Sequence, residues 1–125
     1  MIPIAVPNLT GREAEYLQQC IETTFVSSVG PFVDRFEEIV AKVAGNSIAV
    51  ATSSGTTGLH VALVAIGVER DDLVILPNFT FIASANAIAH CGATPWLFDV
   101  TEESWTLDPA LLSRQLATEA YKKDG

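Results

Sequence analysis

Three observations predict an α/β fold with a largely parallel sheet. Short apolar runs alternate with segments of helical periodicity of about 10–12 residues. The runs Ile48 to Ala51 and Leu73 to Leu76 are apolar throughout rather than at every second position, the pattern of strands covered on both faces, and Pro95 to Val100 supplies another strand. Glycine, proline or a capping residue closes almost every segment.

In chain order, Thr10 is placed to cap a first helix, with Glu13 three residues on as its capping-box partner. Ala14, Leu17, Ile21 and Thr24 fall on one face of that helix, which ends near Thr23. Pro31 suits the first turn of a second helix, where Val33, Phe36, Val40 and Val43 form an apolar stripe and Asp34, Glu37, Glu38 and Lys42 face outward. Gly45 fits its C-terminal cap. The strand Ser47 to Ala51 leads through Thr52 to Gly58 into a helix carrying Leu59, Leu63 and Ile66, which stops at Gly67. A second strand, Leu73 to Leu76, is closed by Pro77. A helix rich in Ala and Ile, Thr80 to His90, is ended by Gly92. After the strand Pro95 to Val100, Asp108 and Pro109 open a last helix with Leu111, Leu112 and Leu116, followed by the polar tail Tyr121 to Gly125. No internal linker or repeat is visible.

The 125 residues suffice for one domain with a core and are short for two. Apolar residues at 49% and charged residues at 18% exclude a disordered chain. A net charge of −8 argues against nucleic acid as a partner, because phosphate contacts need clustered Lys and Arg. It does not exclude a small anion, which backbone amides bind without a cationic side chain. No apolar run approaches the ~20 residues of a membrane span, and the opening segment lacks the basic flank of a signal peptide. Cys20 and Cys91, each among apolar neighbours, read as small hydrophobes of a reduced, cytoplasmic protein. No His or Cys pair has metal-ligand spacing, so no metal is expected.

The segment best suited to chemistry is Thr52-Ser53-Ser54-Gly55-Thr56-Thr57-Gly58, between a strand and a helix. The first turn of a helix leaves four N–H groups without intrahelical partners, and the aligned peptide dipoles add about half a positive charge there. Gly55 lets the backbone approach a bulky anion, and Ser54, Thr56 and Thr57 add hydroxyl donors, which together make a phosphate cradle without lysine. The Gly-Lys-Ser/Thr of a P-loop and the Gly-x-Gly-x-x-Gly of a dinucleotide site are both absent. In an open parallel sheet ligands lie beyond the carboxyl ends of the strands, so residues after Leu76 should neighbour those after Ala51. Phe81 is the candidate ring to stack on a planar cofactor there. From pattern alone, burial of Phe79 and Phe81 in the core is the favoured reading.

The segments IPIAVPNLTGRE, FVSSVGPFVDRFEE, AVATSSGTTGLHVAL and VILPNFTFIASANAIAHCGATPWLFDV follow one another in order. On them the chain resembles the N-terminal third of the DegT/StrS family of sugar aminotransferases, over nearly all 125 residues. Ser54-Gly55-Thr56 with Leu59, and Pro77-x-x-Thr80-Phe81-x-Ala83-Ser84-x-Asn86, are the most specific parts. The opening and the VSSVG stretch look closest to the branch that aminates 4-keto sugars on UDP. The resemblance implies the three-layer fold type I of aspartate aminotransferase, with residues 1–125 forming the N-terminal part of a truncated cofactor-binding large domain and no second domain. It implies pyridoxal 5'-phosphate as cofactor, a nucleotide-sugar substrate, glutamate as amino donor and a homodimer.

Residue by residue, the resemblance implies that Gly55, Thr56 and Thr57 hold the cofactor phosphate, that Phe81 stacks on the pyridine face, and that Ser27, Ser28 and Gly30 border the sugar-nucleotide pocket. It also implies that the family's Schiff-base lysine and pyridine-nitrogen carboxylate lie beyond Gly125. Lys42, Lys122 and Lys123 match no family lysine motif, so no catalytic residue is assigned and the segment is expected to be inactive alone, a truncated gene product or an excised piece.

The remaining candidates have plainer readings. His60 and His90 read as surface or satisfied helical residues, Asp99 as a turn cap, and Trp96 and Trp105 as packing for a strand and its loop. A non-catalytic α/β module that binds a phosphorylated small molecule, or pairs with a full-length homologue, is the alternative function. A Rossmann-type nucleotide domain ranks last, resting on fold analogy alone.

Overall fold

The computed structural model describes residues 2–3 and 5–119. Lys122, Lys123 and the polar tail lie outside the described residues. The elements in order are α1 (Glu13–Glu22), α2 (Pro31–Ala44), α3 (Gly55–Ala65), β1 (Leu73–Pro77), α4 (Ile82–His90), β2 (Thr94–Phe98) and α5 (Pro109–Glu119). They divide into two compact units, Met1–Ala51 and Thr52–Gly125, each described by itself.

In the first unit, α1 starts later than its capping signal predicts. Arg12 is its N-cap and no side chain caps it. The Thr10 hydroxyl instead donates to Asn8 Oδ1 at 2.8 Å, a local bond that competes with helix capping. The half-buried side of α1 runs through Tyr16, Gln19 and Cys20, while Leu17 and Ile21 are exposed. Tyr16 meets Phe32 of α2 with ring centroids 5.2 Å apart. In α2 the inward ridge is Val33, Glu37 and Ala41, spaced four residues apart; of the predicted stripe Val33 lies on it, whereas Phe36, Val40 and Val43 are exposed. Two helices cover only one side of each other, so the apolar stripe is left without a cover within the unit. Pro31 at the first turn and Gly45 at φ 69° bound α2 as predicted.

The predicted strand Ser47 to Ala51 does not form. Among the described residues no strand pairs with it, and Ile48 and Val50 are 76% and 74% exposed. An apolar run becomes a strand only when a neighbour accepts its ladder of hydrogen bonds. The Ala51 N–H finds a different partner, the Glu37 carboxylate at 2.7 Å. Glu37, assigned to solvent by its pattern, therefore faces inward.

The second unit is an α/β assembly. β1 and β2 pair in parallel, Leu73 opposite Thr94 and Pro77 opposite Phe98. Thus Pro77 is the last residue of the ladder rather than the residue after it, and β2 stops two residues before Val100. A parallel pair requires a crossover, and α4 supplies it. Leu76, Ile88 and Ala93 form the core, with Leu63, Val68, Val74, Ala85 and Cys91 packed against it. Ala87 is fully covered, and the Cys91 thiol donates to the Ala87 carbonyl, in keeping with its role as a small hydrophobe. α4 starts at Ile82, two residues after the predicted Thr80, with Phe81 as N-cap. Asp108 caps α5 as predicted, its Oδ1 accepting from Ala110 N–H at 2.8 Å and Leu111 N–H at 3.1 Å.

Candidate functional site

The turn from Thr52 to Ser54 ends in an N-cap. Ser54 takes an extended conformation and its Oγ accepts the Thr57 N–H at 3.2 Å. The Gly58 N–H is taken by the Ser54 carbonyl at 3.0 Å, the first bond inside the helix. Among the described residues the N–H groups of Gly55 and Thr56 have no partner. They are the two donors that the first turn of α3 leaves open.

Gly55 adds a second observation. Its φ is not left-handed, and a Cβ built on it would meet nothing within 4 Å. The chain's own atoms therefore do not demand a glycine there. A bare backbone facing open space, beside two free amides at the positive end of a helix, fits the phosphate of a cofactor. The residues present thus suit the phosphoester of pyridoxal phosphate.

The hydroxyls divide by partner. Thr57 Oγ1 lies 3.0 Å from Ser54 Oγ and 3.3 Å from Ser53 Oγ, so it belongs to the cap. Thr56 is half-buried, on the inward ridge of α3 with His60 and Leu63, and its hydroxyl has no partner among the described residues. Of the predicted stripe Leu63 lies on this ridge, whereas Leu59 and Ile66 are exposed. Ser54 Oγ serves as the cap acceptor.

Phe81 stands at the N-cap of α4 and is 79% exposed, with no aromatic neighbour among the described residues. Phe79 is also outside the core, against Trp105 with centroids 5.1 Å apart. The burial favoured from pattern for these two rings is therefore overturned.

Phe81 and Gly55 lie toward one edge of the sheet. Because β1 and β2 are parallel, α4 runs back along them and its first residue lies beyond their carboxyl ends. α3 feeds β1 through residues 66–72, and Arg70 of that connection sits against Gly92 at the start of β2, the amino edge. α3 and α4 pack side by side, Leu63 and Ile88 sharing the core, so α3 also points its N-terminus toward the carboxyl edge. The rings of His60 and His90 are 5.5 Å apart, which pins the register of the two helices. The two histidines, read separately as lone residues, are an interhelical pair.

Ser27, Ser28 and Gly30 belong to the first unit, in the connection from α1 to α2. Ser27 and Gly30 line a cleft of about 70 Å³ with Cys20, Phe25, Val29, Phe32 and Val33, and Ser28 is exposed. Gly30 has its own structural reason. Its φ is 137°, and a Cβ would come within 2.9 Å of the Phe25 ring.

Asp99 accepts the Val100 N–H at 2.8 Å, the turn-cap role. Trp96 packs edge-on against Phe98, and Trp105 against Phe79, as packing residues. Lys42 is exposed in the last turn of α2. Among the described residues no group of three potential metal ligands occurs. Arg12 clasps Glu15, which holds the Glu15 carboxyl below its usual range through the hydrogen bond first, and lies 5.0 Å over the Tyr16 ring. That cluster is exposed and lies in the first unit.

Comparison with known proteins decides the family. Residues 7–121 match the DegT/DnrJ/EryC1/StrS aminotransferase family. The chain belongs to this family. It is 47% identical over 111 residues to the GDP-perosamine synthase of Caulobacter vibrioides, a match covering 89% of this chain and 30% of that protein. The aminotransferase structure from Psychrobacter cryohalolentis aligns with a TM-score of 0.79 at 32% identity, over 90% of this chain and 29% of that one. The sugar aminotransferase Spr1654 of Streptococcus pneumoniae, solved in PMP and PLP forms, aligns at 0.75 and 0.74 with 30% identity. It too covers 90% of this chain and 28–29% of its own. The chain therefore spans about a third of the length of the family members it matches. Fold type I and pyridoxal phosphate as the family's cofactor stand as the resemblance implied. The Caulobacter relative is named for a GDP-linked sugar, whereas the resemblance pointed to the UDP branch.

Proposed function

We propose that residues 1–125 are the N-terminal, phosphate-binding part of the large domain of a pyridoxal-phosphate aminotransferase acting on a nucleotide-linked keto sugar. Two observations support this reading: among the described residues the Gly55 and Thr56 amides at the start of α3 have no partner, and the exposed ring of Phe81 stands just beyond the carboxyl end of β1. The Gly55 and Thr56 N–H groups bind the phosphate, the Thr56 hydroxyl adds a donor, and Thr57 keeps the helix start in shape through its bonds to Ser53 and Ser54. Phe81 orients the pyridine ring and keeps water from one of its faces. When bound, the cofactor supplies an electron sink for nitrogen transfer.

Ser27, Ser28 and Gly30 border the sugar-nucleotide pocket in this reading. The GDP in the Caulobacter relative's name supports a GDP-linked substrate over a UDP-linked one. Glutamate as amino donor and a cytoplasmic homodimer complete the proposal. The exposed apolar sides of α1 and α2, with Leu17, Ile21, Phe36 and Val43, supply surface that a second subunit would cover. No described helix is long and apolar enough to cross a membrane. Lys42, exposed in the last turn of α2 and matching no family lysine motif, does not serve as the Schiff-base lysine, so the 125-residue chain binds cofactor without turning it over.

Titration of the chain with pyridoxal phosphate, followed by cofactor fluorescence, tests this. Saturable binding that inorganic phosphate competes away is expected, and Phe81→Ala should weaken it without altering the circular dichroism. No binding at millimolar cofactor sinks the reading. Binding that ignores phosphate does the same.

A further inference from the structure

The aromatic pair Phe79–Trp105 is left unused by the cofactor site. We propose that it is a stacking platform for the nucleobase of the nucleotide-linked substrate, an inference that rests on the reading above and adds a site to it. The two rings come from separate elements that share one edge. Phe79 follows β1 and Trp105 lies in the turn between β2 and α5, and the Asn78 N–H ties the strand ends together by donating to the Phe98 carbonyl at 2.8 Å. Phe79 is two residues from Phe81, so their Cα atoms are at most about 7 Å apart. The platform and the candidate cofactor ring therefore occupy one neighbourhood.

Both rings face solvent, Phe79 at 64% and Trp105 at 61% exposed, although they touch with planes inclined at 56°. Trp105 is also held in an unusual backbone conformation, φ 57°, which a bulky side chain rarely adopts. A closed set of bonds maintains it. Thr101 N–H donates to the Thr106 carbonyl and Trp105 N–H to the Thr101 carbonyl, each at 3.0 Å, while Ser104 Oγ lies 2.7 Å from both Thr101 Oγ1 and Thr106 Oγ1. None of these bonds uses the indole, whose Nε1–H has no partner among the described residues. The turn fixes where the indole stands and leaves its face and its donor open.

Charge selects which part of a nucleotide sugar belongs here. Residues 99–108 contain Asp99, Glu102, Glu103 and Asp108 and no Lys or Arg. A diphosphate is repelled by that turn, whereas an uncharged base stacks on it. Base-on-aromatic stacking tolerates any base and needs no cation.

The test is a fluorescence titration of Trp96→Phe, in which Trp105 is the remaining tryptophan, with GDP. Saturable quenching by GDP is expected, with no response to inorganic diphosphate at the same concentrations. Phe79→Ala in that background should weaken GDP roughly tenfold. No quenching by GDP, or an equal response to diphosphate, overturns the proposal. Should Trp96→Phe fail to fold, equilibrium dialysis of GDP against the unsubstituted chain, Phe79→Ala and Trp105→Ala decides, and equal affinity in all three overturns it. A separate pyridoxal-phosphate titration of the same chain keeps the two readings apart: cofactor binding with no GDP response defeats only the platform, and GDP quenching with no cofactor binding defeats only the cradle.

Discussion

Ser54 and Thr57 close a small ring at the start of α3: the serine Oγ accepts the threonine N–H at 3.2 Å while the two hydroxyls lie 3.0 Å apart. The cap therefore uses the third amide of the helix and leaves the first two, on Gly55 and Thr56, facing outward. Capping and anion binding share one helix turn without competing for the same donor.

That division of labour separates two substitutions. Ser54→Ala should destabilise the chain by about 1 kcal/mol, the ordinary cost of a lost N-cap. Gly55→Ala should leave stability unchanged or raise it by up to about 1 kcal/mol, because its φ is already helical and a Cβ meets nothing. The same Gly55→Ala should weaken pyridoxal phosphate. Urea unfolding read beside cofactor titration checks both, and a Gly55→Ala chain that unfolds early yet binds normally would contradict the assignment.

Gly30→Ala should behave in the opposite way. A left-handed φ of 137° and a Phe25 ring 2.9 Å from the new Cβ make it destabilising by about 1–3 kcal/mol in the free chain. Phe25 is partly exposed and can yield, but the backbone conformation cannot. Denaturant melts of the ligand-free chain should show this loss.

The Arg12–Glu15 pair predicts a pH effect of definite sign. Its hydrogen bond lowers the folded-state carboxyl below its unfolded value, so the contribution to stability is present above the ordinary glutamate range. It disappears as pH falls through the lowered folded value. Glu15→Gln should therefore be slightly less stable than the parent at neutral pH and equal to it in strong acid. The pair is exposed, so raised salt should shrink the difference. Thermal melts across pH and salt read this directly.

Leu76→Ala should cost about 2–5 kcal/mol, since Leu76 is 4% exposed at the centre of the cluster with Ile88 and Ala93. The loss should appear in the second unit, followed by near-ultraviolet dichroism of Trp96, which packs beside the core residue Phe98 on the adjacent strand. Leu97→Ala, on the exposed side of β2, should cost far less.

Helix ends were the most legible feature of the chain. Pro31, Gly45, Gly67, Gly92 and the Asp108-Pro109 pair mark their boundaries through backbone chemistry that is local to a few residues. The faces of α1, α2 and α3 were not. Periodicity placed Leu17, Phe36 and Leu59 inward, yet Tyr16, Glu37 and His60 occupy those sides, because which side is covered depends on the neighbour and not on the helix. Glu37 could not have been found from its pattern, since its partner, the Ala51 amide, lies 14 residues away.

By itself the sequence determined the α/β order of the second unit, the family, and the Ser54-Gly55-Thr56 start of α3, all of which rest on residues adjacent along the chain. Tertiary structure alone decided that Ser47 to Ala51 stays unpaired, that Phe79 and Phe81 face solvent, and that His60 meets His90. These depend on contacts between distant segments, where a hydrogen-bond ladder or a covering surface is either supplied by another part of the fold or is absent.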